Sequence, residues 1–214
     1  KSEVEGLPER VLETLALAAK ESGDKNEEGD DPSASNGPWR VGLDLPRYIP
    51  FQTYAKNRLI REKAYRAFVS RASDGKLNNK KIIEEILDLR DKQARQLGYK
   101  NWCQISLATK MAENEEAVEI LLEELRLAAM PHAEKELIQL RECAKRNGED
   151  ENFELSPWDV SFWSEVLRKE KYDLDQEKLR PWFPLDQVLN GLFNLCKRLF
   201  EIDIEEASHS APLW

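Results

Sequence analysis

The chain has 214 residues, 41% hydrophobic and 34% charged, with a net charge of −9. That balance fits a globular protein with a sizeable core, and the negative charge argues against nucleic acid, whose phosphates need a basic face. No run of about 18 apolar residues occurs, so no membrane span is predicted, and the opening KSEVEGLPER has neither a signal core nor a transit-peptide composition.

Leu7-Pro8 starts the first predicted helix, proline being harmless in a first turn. Val11, Leu12, Leu15, Ala18 and Ala19 form its apolar stripe, and it ends near Gly23. Residues 21–38, ESGDKNEEGDDPSASNGP, are acidic and rich in turn formers; they read as a flexible surface loop. Trp39 to Leu43 alternates and is the best strand candidate, which leaves at most one or two short strands there. Its mate would lie outside the chain or on a neighbouring hairpin.

Pro46 and Pro50 open the next helix near Tyr48, and Asn57 either breaks it or is carried into its successor. Leu59, Ala64, Phe68 and Val69 give the apolar side. Arg58, Arg61, Arg66 and Arg71 admit two readings. Their planar forks could grip a peptide carboxylate, or they form a solvated face paired to nearby glutamates. Asn78 or Asn79 caps a helix carrying Ile82, Ile83, Ile86 and Leu89, closed by Gly98. Asn101 restarts a short one, NWCQISLATKM.

Asn114 caps the longest pattern, reaching about Asn147, with Pro131 inside it as an expected kink. Val118, Leu121, Leu122, Leu125, Leu137, Leu140 and Ala144 line its apolar side. His132 follows the kink without a second ligand in spacing and reads as structural. Ser156-Pro157 begins a helix bearing Phe162, Trp163, Val166 and Leu167. Pro181 and Pro184 force a corner that holds Trp182 and Phe183 between them. From Leu185 the apolar residues Val188, Leu189, Leu192, Phe193, Cys196 and Leu199 recur at helical spacing.

These elements predict a mostly α fold: one irregular array of seven to eight helices over residues 1–214. Cys103, Cys143 and Cys196 stand apart in helical patterns and read as buried free thiols in a reducing, intracellular compartment. The carboxylates are assigned to solvated helix faces. Adjacent pairs such as Glu84/Glu85 and Glu123/Glu124 point about 100° apart and do not converge as an acid/base pair. No glycine-rich phosphate loop, G-x-S-x-G or metal-spaced Cys/His cluster occurs.

Three stretches together resemble a known family. One runs Trp158, Asp159, Phe162, Trp163, Tyr172, Asp173, Asp175, Glu177, then Leu179-Arg180-Pro181-Trp182-Phe183-Pro184-Leu185 and on to Gly191-Leu192-Phe193. A second is LDLPRYIP with KNRLIREKAYRAF and RAS, and a third is Leu97-Gly98-Tyr99 with Ser106-Leu107-Ala108 and Lys110-Met111-Ala112. They are similar to the thimet oligopeptidase/oligopeptidase A family of zinc metallopeptidases, plant-type members above all. Trp182 stands where that family usually has tyrosine, and Ala211-Pro212-Leu213-Trp214 also fits its pattern.

The resemblance implies a helical, non-catalytic portion that walls a channel for short peptides, with zinc held elsewhere in full-length members. The family's HExxH pairs two zinc-binding histidines with a general-base glutamate. This chain has only His132 and His209, far apart, so no catalytic or metal residue is assigned and no cofactor is expected in the chain itself. Expected partners are short peptides, a catalytic domain or another protein, with Arg58, Arg61, Trp182 and Phe183 as contact residues. Two classes of protein follow: the scaffold portion of an oligopeptidase, or a natural truncated paralogue that binds peptide or protein without catalysis. The compartment is the chloroplast, the mitochondrion or the cytosol.

Overall fold

The computed structural model describes residues 2–173 and 179–205. The expectations at Asp175, Glu177, His209 and residues 211–214 lie outside the described residues. Eight α-helices occur among those described: α1 (Glu9–Glu21), α2 (Leu45–Tyr54), α3 (Arg58–Val69), α4 (Lys80–Gln96), α5 (Trp102–Leu107), α6 (Glu115–Arg146), α7 (Pro157–Tyr172) and α8 (Leu185–Phe200). The fold is mostly α, as the periodicity predicts. Two compact units are distinguished, Lys1–Leu167 and Arg168–Trp214.

In the first unit, α1 packs on α2 and α2 on α3. Leu7, Val11 and Leu15 meet Phe51 and Ala55 in a buried cluster. Burying a side chain such as Leu15 or Phe51 contributes about 1.5–3 kcal/mol. The chain crosses over itself at Gly6, which has φ +90° and whose missing Cβ would lie 2.5 Å from the Tyr54 carbonyl oxygen. Beside it the Lys56 N–H donates to the Glu5 carbonyl at 2.9 Å. Asn57 breaks the chain between α2 and α3 and caps α3, its side chain accepting from the Ile60 N–H.

The Trp39–Leu43 strand candidate forms no ladder. Trp39 and Val41 pack against the cluster, and the Arg40 N–H donates to the Leu15 carbonyl on α1. The alternation does mark one buried side, but a helix covers it instead of a neighbouring strand. The acidic loop before it is stitched locally. Asn26 Oδ1 accepts the N–H groups of Glu28 (3.0 Å) and Asp30 (2.7 Å), and Asp31 pairs with Lys20 at 2.7 Å and with Lys25.

Helices α4, α5 and α6 pack in sequence order. Asn114 caps α6 as predicted, its side chain accepting from the Ala117 N–H at 2.8 Å. The helix is 32 residues long and runs through Pro131. Its C-terminal part buries Leu140, Cys143 and Ala144 against Trp163 of α7, in a second cluster edged by Phe153, Leu155 and Phe162. Phe162 meets Trp163 edge to face at 5.0 Å.

Much of the predicted apolar lining is not buried. On α4, Ile82, Ile83 and Leu89 are exposed, and on α6 so are Leu121, Leu122 and Leu125. Periodicity identifies an apolar face but not what covers it. The thiols also differ from expectation: Cys143 is buried, Cys196 half-buried and Cys103 exposed. Cys103 lies on α5, a single short helix with no buried residue. In the second unit, α8 likewise has none. A single helical turn at Arg180–Trp182 precedes it, where Pro181 sits at the start as the proline corner predicts.

Candidate functional site

The most organised polar cluster lies where α3 meets the start of α7. Arg58 and Arg61 are three residues apart and therefore share one face of α3. Asp159 is in the first turn of α7, where Ser156-Pro157 sets the helix start as predicted. Its carboxylate takes the Ser156 N–H at 3.0 Å, a backbone donor that a helix start leaves unpaired.

Asp159 has no solvent exposure, and Arg61 is 1% exposed. Arg61 Nη2 donates to Asp159 Oδ1 at 2.9 Å, its Nε to the Trp158 carbonyl at 3.1 Å, and its Nη1 to the carbonyls of Ala55 (2.8 Å) and Lys56 (3.0 Å). Arg58 grips the same carboxylate, Nη2 to Oδ2 at 2.8 Å and Nε to both oxygens at 3.1 Å. It also donates to the Glu154 carbonyl at 3.0 Å and the Ser156 hydroxyl at 3.3 Å. Aromatic faces back the guanidinium groups: Phe153 under Arg58 at 4.8 Å and Phe162 under Arg61 at 4.3 Å.

Burial alone would raise the Asp159 carboxyl. The hydrogen bonds from Arg58, the Ser156 N–H and Arg61 outweigh it and hold the group below the usual carboxylate range. Burial pushes the Arg61 guanidinium down from its ordinary value, with Asp159 pulling the other way. The bond to Asp159 raises Arg58. Two cations around one anion, each tied by several hydrogen bonds, make a fixed ionic joint.

The four arginines thus have separate settings. Arg66 pairs with Glu62 at 2.7 Å, matching the solvated-face reading. Arg71 lies over the Phe68 ring and donates to the Leu43 carbonyl. Arg61 faces inward, while Arg58 is partly exposed. Trp182 and Phe183 belong to the second unit and are 78% and 66% exposed. Phe183 lines an open cavity of about 690 Å³ with Arg180, Pro181, Pro184, Leu185 and Val188.

Helical spacing places the carboxylates on solvated faces, whereas Asp159 is fully buried between two arginines. Its signal was an aspartate in the first turn after Ser-Pro-Trp, combined with two arginines at three-residue spacing. For zinc, the described residues do not fit: among them no three His, Cys, Asp or Glu side chains are grouped so as to hold a metal ion. None of their helices is long and apolar enough to cross a membrane.

The chain belongs to peptidase family M3, whose profile matches residues 51–214. Among curated proteins it is similar to the organellar oligopeptidase A, chloroplastic/mitochondrial, of Arabidopsis thaliana, at 48% identity over 100% of this chain and 26% of that protein. The probable cytosolic oligopeptidase A of the same plant is 46% identical over 100% of this chain and 30% of its own length. Oligopeptidase A of Escherichia coli (strain K12) is 42% identical over 96% of the chain and 29% of its length. The chain therefore spans between a quarter and a third of the length of these relatives.

Proposed function

We propose that this chain is the helical channel-wall and scaffold portion of an oligopeptidase A-like zinc metallopeptidase that degrades short peptides, and that it has no catalytic activity by itself. The supporting observation is the match along the whole chain to a limited part of proteins named oligopeptidase A. The exposed apolar faces of α4, α6 and α8 agree with it, because a stable surface rarely leaves such stripes uncovered. In this reading the remainder of the enzyme covers them and supplies zinc and the general base. Trp182 and Phe183 contact that remainder or the peptide. Arg58 offers its exposed edge to a peptide carboxylate, and Arg61 holds the joint behind it. The enzyme works in an organelle or in the cytosol.

A segment exchange tests the reading. The matching part of the Arabidopsis organellar oligopeptidase A is replaced by this chain, and hydrolysis of a quenched peptide is followed. The chimera should cleave peptide, and the chain alone should neither turn over peptide nor bind zinc stoichiometrically. A folded chimera without activity, or chelator-sensitive turnover by the chain alone, would overturn the proposal.

A further inference from the structure

The first unit contains two apolar clusters that share no residue. One joins α1, α2 and α3, and the other joins the end of α6 to α7. Arginine and aromatic side chains join α3 to the 153–162 stretch: Arg58 and Arg61 on Asp159, Arg58 over Phe153, Arg61 over Phe162, and Arg66 and Tyr65 against Trp158 at 5.0 and 5.8 Å. A buried carboxylate and the two guanidinium groups that reach it lie at the junction of the two clusters, with ring contacts from Tyr65 and Arg66 to Trp158 beside them.

We propose that Asp159 is a latch: its charge couples two helical blocks that are otherwise packed independently, so losing it frees the α6–α7 block while the α1–α3 block stays folded. The geometry favours this over an ordinary core contact in two respects. First, the cost of an unpaired buried charge falls at the junction, since Asp159 receives two cations from one block and the Ser156 N–H from the other. Second, what remains of each block without the latch is still a cluster with its own buried residues, which is the condition for separate opening units. The latch would belong to this chain whether or not the chain walls a peptidase channel.

Hydrogen exchange read by mass spectrometry on the whole 214-residue chain tests it, comparing wild type, Asp159→Asn and the milder Arg58→Gln. Both variants should speed exchange at least tenfold in the end of α6 and in α7 up to Leu167, and change α1 and α2 less than twofold. Arg66→Met, which removes only a ring contact with Trp158 and a surface pair, should leave both blocks as in wild type. Equal acceleration in both blocks, no acceleration in either, or complete unfolding of both Asp159→Asn and Arg58→Gln would each overturn the latch.

Discussion

Arg61 Nη2 stands 2.9 Å from Asp159 Oδ1, and neither side chain reaches solvent. Removing one partner of such a pair strands the other in a poor solvent for charge. Arg61→Met should therefore lower stability by about 3–5 kcal/mol, the range for a broken buried pair. It also unpairs the carbonyls of Ala55 and Lys56, so both clusters should feel it. Arg58→Met should cost less, about 1.5–3 kcal/mol, because that side chain is partly hydrated and its loss leaves Asp159 with Arg61. Urea midpoints for the two variants check the order, and an equal or reversed order would contradict it.

Acid should weaken the same joint. The folded-state pKa of Asp159 is depressed below its ordinary 3.8. Its contribution to stability is then fully present above the unfolded value, and is lost as pH falls through the lower, folded value. Thermal melts of the wild type should be level in this respect from pH 7 to pH 5 and fall below about pH 4. Asp159→Asn should start lower and lose part of that acid slope; an unchanged slope would count against the assignment.

Asp31 should titrate unusually low for an exposed aspartate. Hydrogen bonds from Lys20 and Lys25 hold its carboxyl at about 2, against an ordinary 3.8. Carboxyl carbon shifts in a pH titration should show this. Replacing both lysines by methionine should return the group to the usual range without moving the global melting temperature, since the loop pairs are open to water.

Two glycines with positive φ should respond differently to alanine. Gly6→Ala must place a Cβ against the Tyr54 carbonyl as well as adopt φ +90°, whereas Gly98 has φ +81° with nothing within 4 Å. The Gly98→Ala cost should be conformational only, about 1 kcal/mol. Gly6→Ala should exceed it clearly, by adding a backbone clash. Similar melting temperatures for the two variants would argue against the crossing at Gly6.

The sequence made the helices legible because capping and spacing are local. Asn114 caps α6 where expected, Asn101 starts α5 and Ser156-Pro157 starts α7, while Asn79 precedes α4 without a side-chain cap bond. Val11 and Leu15 mark a face that is indeed buried, whereas Leu59 and Val69, read as the apolar side of α3, are exposed. What was not legible depends on partners distant in sequence. Arg58 and Asp159 are 101 positions apart, so a charge on a helix looks solvated until that contact is known. Trp39–Leu43 alternates because one side is covered, and alternation does not say by what. The isoleucines of α4 are equally periodic whether covered or bare.

Thiol chemistry can use the contrast between Cys143 and Cys103. An alkylating reagent can reach Cys103 with no opening of the fold. It will reach Cys143 only when the Trp163 cluster parts. Mass shifts on the two peptides then give, from one sample, a reference reaction and a clock for the opening of a single joint between helices.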